Sequence, residues 1–423
     1  MFLVQHQNRF FPQPYNVNST SGANNSNVLG TTQKWTIDRT WPIEEIIVCV
    51  NFTVNTGGLT LVSSPATPDQ FDNVLTMLQH VNLSINDGTK PRSAVDCSGI
   101  GLLEYCYRKG MNLDQGTLNL MALSQSGNLP AGNYKIVYRI PMVDPGIGEP
   151  VRSRMYLPVH RHPQDPVLTL TFQSAANIYS SGNINYVGVE VILKRREPTQ
   201  ASEAAIAAVP TTNPWGYIDF DLIETPYAVP VGSGAQVRIA LPIPGSYTDL
   251  LFRHYLGGST VSRAEIDSGA AGTSFGNEGQ WFLQSGNVNV RDWAWQDLRI
   301  EAEMNDVMPA LILPGVYVAA TSAGSPTTLL STKPPFYGQA GGTFPTTQGY
   351  RAATTCFFDF LSDGLSSDMA KELGSVLDCN FPSTSGLKME VVGTPTSVST
   401  NASYLYLMGR RLFGDLSAWQ KFN

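Results

Sequence analysis

Charge is scarce in this chain. Asp, Glu, Lys and Arg make up 14% of 423 residues, against roughly 25% in an average soluble protein. A solvated surface normally carries mixed charge, so a chain this poor in it is expected to cover much of its surface with neighbours, or to face them with Ser, Thr, Asn and Gly. The charges sum to −7, and residues 1–30 contain one formal cation, Arg9, and no acid. Phosphate neutralisation needs clustered Lys and Arg; direct nucleic-acid binding is therefore not expected. Long apolar runs are missing too. The best candidate for a membrane span, Ala310 to Ala320, is broken by Pro314 and Gly315 and falls well short of the roughly 20 residues needed. Met1 to Val4 is too short for the apolar core of a signal peptide, and no cationic segment precedes it. The five cysteines are odd in number and lack CxxC spacing. Cys49 and Cys356 lie in apolar strand-like runs, which predicts buried free thiols in a chain made in a reducing cytoplasm.

Catalytic equipment is equally thin. There is no GxxxxGK[ST], no GxGxxG after a strand, no HExxH and no GxSxG. Among five histidines, His160 and His162 form an HxH that could share a strand face and ligate a metal. No carboxylate or cysteine cluster completes such a site nearby, so no metal or cofactor is expected. Asp219 with Asp221, and Glu301 with Glu303, place paired carboxylates on one strand face. A glycosidase needs such a pair across a cleft, but neither pair has a local pocket. Trp281, Trp293 and Trp295, with Arg291 and Arg299, form an aromatic cluster in the strand-like segment Asn287 to Met304. Paired tryptophans in a large β protein are more often core or interface anchors than a sugar platform. No enzymatic activity is expected.

What the sequence does contain is a repetition. VEVILKRRE (Val189 to Glu197) and YLYLMGRRL (Tyr404 to Leu412) are alternating apolar strands that both end in paired arginines, Arg195-Arg196 and Arg410-Arg411. A β-rich run precedes each, VLTLTF (Val167 to Phe172) and LKMEVV (Leu387 to Val392). Two β modules in tandem follow from this self-similarity.

Along the chain, residues 1–30 read as an extended Asn- and Ser-rich arm. It carries Phe2, Phe10, Phe11 and Tyr15 as aromatics that could dock on a neighbouring subunit. The first module spans 31–197, with strands expected at Ile46 to Val54, Val74 to Ile85, Ile100 to Tyr107, Tyr134 to Met142, Val167 to Phe172 and Val187 to Leu193. The linker, 198–214, holds a short helix over Ser202 to Ala208 between prolines. The second module spans 215–415, with strands at Gly216 to Ile223, Val237 to Ile243, Tyr247 to Leu256 and Cys356 to Leu361, and an amphipathic helix over Asp368 to Asp378. Gly257 to Asn277 and Ala320 to Thr355 are expected as functional surface loops; 416–423 is a short tail.

With GYIDFDLI (Gly216 to Ile223) followed by TDLLFRHYLGG (Thr248 to Gly258), LPGVYVAA (Leu313 to Ala320) and the closing strand YLYLMGRRLF, the chain resembles the double jelly-roll major capsid proteins of tailless, internal-membrane-containing bacteriophages, the tectivirus and adenovirus-hexon lineage. The resemblance covers about residues 31–415. It implies an all-β fold of two tandem eight-stranded jelly-roll β-sandwiches with a short linker helix and one helix in the second module. It also implies a structural role: homotrimers of pseudo-hexagonal outline that tile an icosahedral shell, with the two long loops as outward towers. The implied partners are further copies of the chain in its own and neighbouring capsomers, the minor capsid, vertex and penton proteins, and an underlying viral membrane. The implied location is the virion, after synthesis in the host cytoplasm. Interface residues are expected at Phe2, Phe10, Phe11, Tyr15, Arg195, Arg196, Trp293, Trp295, Arg410 and Arg411. The two arginine pairs, as matching strand ends, are expected to reach the same end of their barrels and to grip carboxylates of a neighbouring chain or underlying layer. The alternative is a two-domain β-sandwich that binds carbohydrate or a receptor.

Overall fold

The computed structural model describes residues 8–12, 28–86, 91–109, 111, 113–117, 120, 127–145, 151–207, 217–229, 237–241, 245–257, 261–263, 280–285, 288–289, 355–359, 375–378, 389–394, 403–413 and 420–422. Phe2, Tyr15, Trp293, Trp295, Glu301, Glu303 and nearly all of the two long loops lie outside these residues. In chain order the strands are β1 (Asn8–Pro12), β2 (Thr32–Thr36), β3 (Ile43–Leu61), β4 (Leu78–Asn86), β5 (Pro91–Cys97), β6 (Asn128–Leu129), β7 (Gly132–Pro141), β8 (Val167–Phe172), β9 (Tyr179–Arg196) and β10 (Asp219–Val229). They continue with β11 (Val237–Ala240), β12 (Ser246–Leu256), β13 (Ser262–Arg263), β14 (Gln280–Ser285), β15 (Val288–Asn289), β16 (Thr355–Asp359), β17 (Ser375–Asp378), β18 (Met389–Thr394), β19 (Ser403–Phe413) and β20 (Gln420–Phe422). The helices are α1 (Pro68–Asp72), α2 (Gly99–Arg108), α3 (Val151–Arg154), α4 (Ala175–Ile178) and α5 (Gln200–Ala207).

Pairing resolves these strands into one topology used twice. In the first module β1, β9, β3 and β7 lie side by side in one sheet, and β2, β8, β4 and β5 in another. With eight strands lettered B to I in chain order, these are B-I-D-G and C-H-E-F, the two sheets of a jelly roll. The second module repeats the pattern: β10, β19, β12 and β16 as B-I-D-G, β11, β18, β14 and β15 as C-H-E-F.

Alternation builds the first core. Ile46, Val48, Val50, Phe52 and Val54 of β3 turn inward, as do Leu168, Leu170 and Phe172 of β8 and Val81, Leu83 and Ile85 of β4, all at most 3% exposed. Each such side chain contributes about 1.5–3 kcal/mol on burial, so the period-2 register of these strands is strongly fixed. Cys49, Cys97 and Cys106 are free and buried, and burial pushes the Cys106 thiol up to about 12.

Four sequence expectations are corrected. Residues 8–12 are no separate arm: β1 pairs antiparallel with β9, Phe10 opposite Lys194 and Phe11 opposite Leu193, and supplies strand B of the first roll. Ile100 to Tyr107, expected as a strand, lies in helix α2. Its apolar run suits either state, and the Ser98 side chain caps the helix by accepting from the Gly101 N–H. Of the helix expected over Asp368 to Asp378, Ser375–Asp378 is a strand instead, paired with both β12 and β20; residues 368–374 lie outside the described residues. The tail, expected beyond 415, contributes β20.

Deleting residues 1–12 should uncover the β9 edge of the first roll and remove about half a dozen ladder hydrogen bonds, each worth roughly 1 kcal/mol net. Thermal unfolding of the truncated protein is expected to shift down by on the order of 5 °C. An unchanged melting temperature would mean that strand B contributes nothing to the roll.

Candidate functional site

The two rolls meet edge to edge. Strand β5, last in the C-H-E-F sheet of the first roll, runs parallel to β10, with Leu222 opposite Val95 and Ile223 opposite Asp96. One sheet of 11 strands therefore crosses the boundary. Arg92 fastens this seam, donating to the Phe220 carbonyl at 2.9 Å and to the Asp219 carboxylate.

Behind the seam, α2 of the first roll is clamped at both ends by charged groups of the second. At its N-terminus, Glu224 accepts from the Ser98 backbone N–H at 2.8 Å, and Arg253 donates to the Ser98 hydroxyl at 2.9 Å and to Glu224. Gly101 makes this approach possible: a Cβ there would lie 2.7 Å from the Glu224 carboxylate. Arg253 also donates to the Tyr255 hydroxyl, which donates to Asp72, and lies 3.8 Å from Glu104. At the C-terminal end, Lys109 sits between Asp144 (3.0 Å) and Asp249 (2.9 Å), and the Tyr105 hydroxyl donates to Asp249 at 2.9 Å. Arg410 completes the cluster. It donates to the carbonyls of Met142 (2.7 Å) and Pro141, approaches Asp144 to 3.9 Å, and lies over the Phe220 ring at 5.0 Å.

These groups are out of water, so pairing governs their ionisation. Burial pushes the Tyr105 hydroxyl well above its ordinary range, and the Asp249 carboxylate adds to the rise. Burial alone would pull the Arg410 guanidinium down, but Tyr105, Asp144 and Asp249 raise it above its usual value. The cluster is a structural fastening in which every cation carries protein acceptors.

The arginine pairs occupy matching places. Both lie on strand I, opposite the starts of strands B and D: Arg195 faces Arg9 and Ile43, and Arg410 faces Leu222 and Asp249. Each D strand also carries a register shift beside the pair, between Ile43 and Glu45 and between Tyr247 and Asp249. The expectation that Arg195 and Arg410 reach a neighbouring chain is corrected, because they are 1% and 0% exposed. Arg195 donates to the carbonyls of Asp38 (2.9 Å) and Trp41 (3.1 Å) of its own roll, whereas Arg410 crosses to the other roll. Arg196 stacks over Tyr156 at 4.7 Å and lies 3.8 Å from Glu44, and Arg411 pairs with Asp221 at 3.2 Å.

The other candidates disperse. Asp219 and Asp221 are held by Arg92 and Arg411 respectively, so they form no acid–base pair. His160 and Arg161 turn to the linker. Glu203 of α5 lies 3.4 Å from His160, accepts from Arg161, and accepts from the Tyr217 hydroxyl at 2.7 Å. Among the described residues no group of three metal-ligating side chains gathers, and no helix is long and apolar enough to cross a membrane. Sequence reasoning singled out Arg410 and Asp219 but missed the rest of the junction, Arg92, Lys109, Asp144, Glu224, Asp249 and Arg253. Its residues are isolated charges within apolar runs, and only their unusual setting in such runs marks them.

Arg410→Ala should leave Asp144 and Asp249 with Lys109 as their nearest cation, at a cost of about 3–5 kcal/mol. Loss of soluble protein or a large drop in the denaturant midpoint is expected, whereas Arg411→Ala removes one partner of a largely buried pair but leaves Asp221 near Arg92, at a smaller cost of about 1–3 kcal/mol. Equal effects of the two changes would contradict this assignment. The linker clamp gives a pH dependence. Burial raises the Glu203 carboxyl, but hydrogen bonds from His160, Tyr217 and Arg161 outweigh it and hold the group down at about 2. Its contribution is full above the unfolded value near 4.5 and is lost as pH falls from there towards 2. Glu203→Gln should flatten that part of the stability–pH curve measured by urea unfolding; a curve unchanged in shape would remove Glu203 from the account.

No family model matches this sequence, and no curated protein matches it. Solved structures do. The major capsid protein of STIV superposes with a TM-score of 0.54 at 14% identity, covering 96% of this chain and 96% of that one. A chain of the atomic structure of Sulfolobus Turreted Icosahedral Virus gives 0.54 at 13% identity, over 96% of this chain and 89% of the other. The major capsid protein P2 of bacteriophage PM2 is similar at 0.47 and 10% identity, over 96% and 98%. The B-I-D-G and C-H-E-F order in both halves and the two superpositions above 0.5 agree: this chain has the double jelly-roll fold of viral major capsid proteins.

Proposed function

We infer that this protein is a structural major capsid protein. Three copies close into a capsomer of pseudo-hexagonal outline, and the capsomers tile an icosahedral shell. The observation that supports this most directly is the side-by-side fusion of two jelly rolls through one 11-stranded sheet and a buried ionic cluster. A fused pair of similar rolls gives a trimer six similar corners, which a hexagonal lattice requires. Neighbours of the same fold over nearly the full chain support the same reading.

In this reading the chain's partners are itself, neighbouring capsomers, and minor capsid, vertex and penton proteins, above an underlying viral membrane; its place is the virion. Contacts between chains are assigned to Phe2, Phe10, Phe11 and Tyr15, to Trp293 and Trp295, and to the half-buried Arg196 and Arg411. The net charge of −7 fits a shell layer that does not touch nucleic acid. Reaction chemistry plays no part in the role.

Light scattering of the purified protein at micromolar concentration is expected to give three times the chain mass of 46.0 kDa. Negative-stain images should show hexagonal outlines. Obligate contacts of this kind bury well over about 2,000 Å², so the trimer should survive dilution. A stable monomer would overturn the proposal.

A further inference from the structure

The outer face of the first roll's B-I-D-G sheet carries a groove of about 570 Å³ where three strands meet. Asn51 and Thr53 of β3 alternate onto this face. Lys135 and Asn133 of β7 stand opposite them, and Gly188 and Tyr186 of β9 stand opposite them on the other side. Phe52 belongs to the core cluster and Tyr134 packs against it, stacked on Phe52 at 5.4 Å; the groove floor is therefore backbone.

Tyr186 is 44% exposed, and among the described residues it is the one large hydrophobic side chain that is exposed. Its phenol end passes over Gly188, where a Cβ would come within 2.1 Å of the phenol oxygen. Glycine at 188 thus leaves room for the phenol end against the sheet, and the side chain borders the groove. Beside it the Thr53 hydroxyl donates to Asn133 Oδ1 at 2.8 Å. That contact fixes the amide so that its NH2 is available as a donor. Asn51 adds a second amide and Lys135 a cation, while Glu190 stands opposite Cys49 on the adjacent strand. The local charge is mixed, which disfavours a strongly charged ligand.

We propose that this groove is a binding site for a neutral pyranose glycan. One apolar sugar face stacks on Tyr186, and the ring hydroxyls exchange hydrogen bonds with Asn133, Asn51 and Thr53. An exposed aromatic ring bordered by one oriented amide and by a second amide matches a molecule with one apolar face and a polar rim. The volume lies within the range of small-ligand sites. Every lining residue of the groove belongs to the first roll, so sugar binding can be tested on the folded protein whatever its oligomeric state.

Saturation-transfer NMR on the full-length protein, with maltotriose, cellotriose and chitotriose as probes, tests it. At least one sugar should receive transfer, with a dissociation constant of about 1 mM. Tyr186→Ala should weaken binding about ten-fold, the scale of one aromatic contact; Tyr186→Phe should retain it. Asn133→Ala should weaken binding without touching the ring. No transfer to any of the three sugars from folded protein, or transfer undiminished by both Tyr186→Ala and Asn133→Ala, overturns the proposal. Hydroxyl-radical footprinting that finds Tyr186 protected in the assembled oligomer also overturns it, because the groove would then be a contact between chains.

Discussion

The ion cluster between the rolls is the constraint on which the rest of the architecture depends. Lys109, Arg253 and Arg410 face Asp144, Asp249, Glu224 and Glu104, all almost fully removed from water. Taking such groups out of water costs several kcal/mol each, and the cost is offset only when every partner is in position. The cluster therefore tolerates one relative placement of the two rolls. A purely apolar seam would have allowed sliding, because apolar contact has no direction. The parallel pairing of β5 with β10 is only two residue pairs long and could not set that placement alone. Helix α2 carries the constraint: its N-cap Ser98 and its last turn are both held by the second roll, so the insertion between strands F and G of one roll becomes the anchor of the other.

The matching arginines show how two copies of one module acquire different work. At the same place on strand I, each guanidinium donates to a pair of backbone carbonyls, which suits its planar fork. In the first roll those carbonyls belong to Asp38 and Trp41, on the turn between strands C and D of the same roll. In the second they belong to Pro141 and Met142, at the end of strand G of the first. One solution for closing the end of a barrel has become a solution for joining two barrels.

The fold was legible in the sequence where periodicity was long and one-sided. The alternation in β3, β9, β12 and β19 located both rolls and their final strands, and the paired arginines fixed their correspondence. It was illegible where context overrides pattern. GIGLLEYCYR is mostly apolar because Gly99 to Cys106 is buried, so it read as a strand. β1 is five residues inside an Asn-rich tract, too short to show a period, and takes its structure from the waiting edge of β9. Ser375–Asp378 has helical spacing but finds two strand partners. The candidate site was less legible still. Glu224, Arg253 and Lys109 reveal their roles only when residues far apart in the chain are brought together.

The low charge of the chain now has a physical placement. A chain with only 14% charged residues commits a good share of them to its own interior: Arg195, Arg253, Arg410, Lys109, Glu44, Glu45, Glu104, Asp144, Asp221 and Asp249 are all buried. Among the described residues, charge is thus withdrawn from the surface into the interior. A surface of that kind cannot rely on long-range attraction to find its neighbours, and salt can do little to weaken it. If chains associate through it, shape and hydrogen bonding by Ser, Thr and Asn must supply the specificity. The buried arginines then act on assembly indirectly, by holding each chain in the single shape that its neighbours fit.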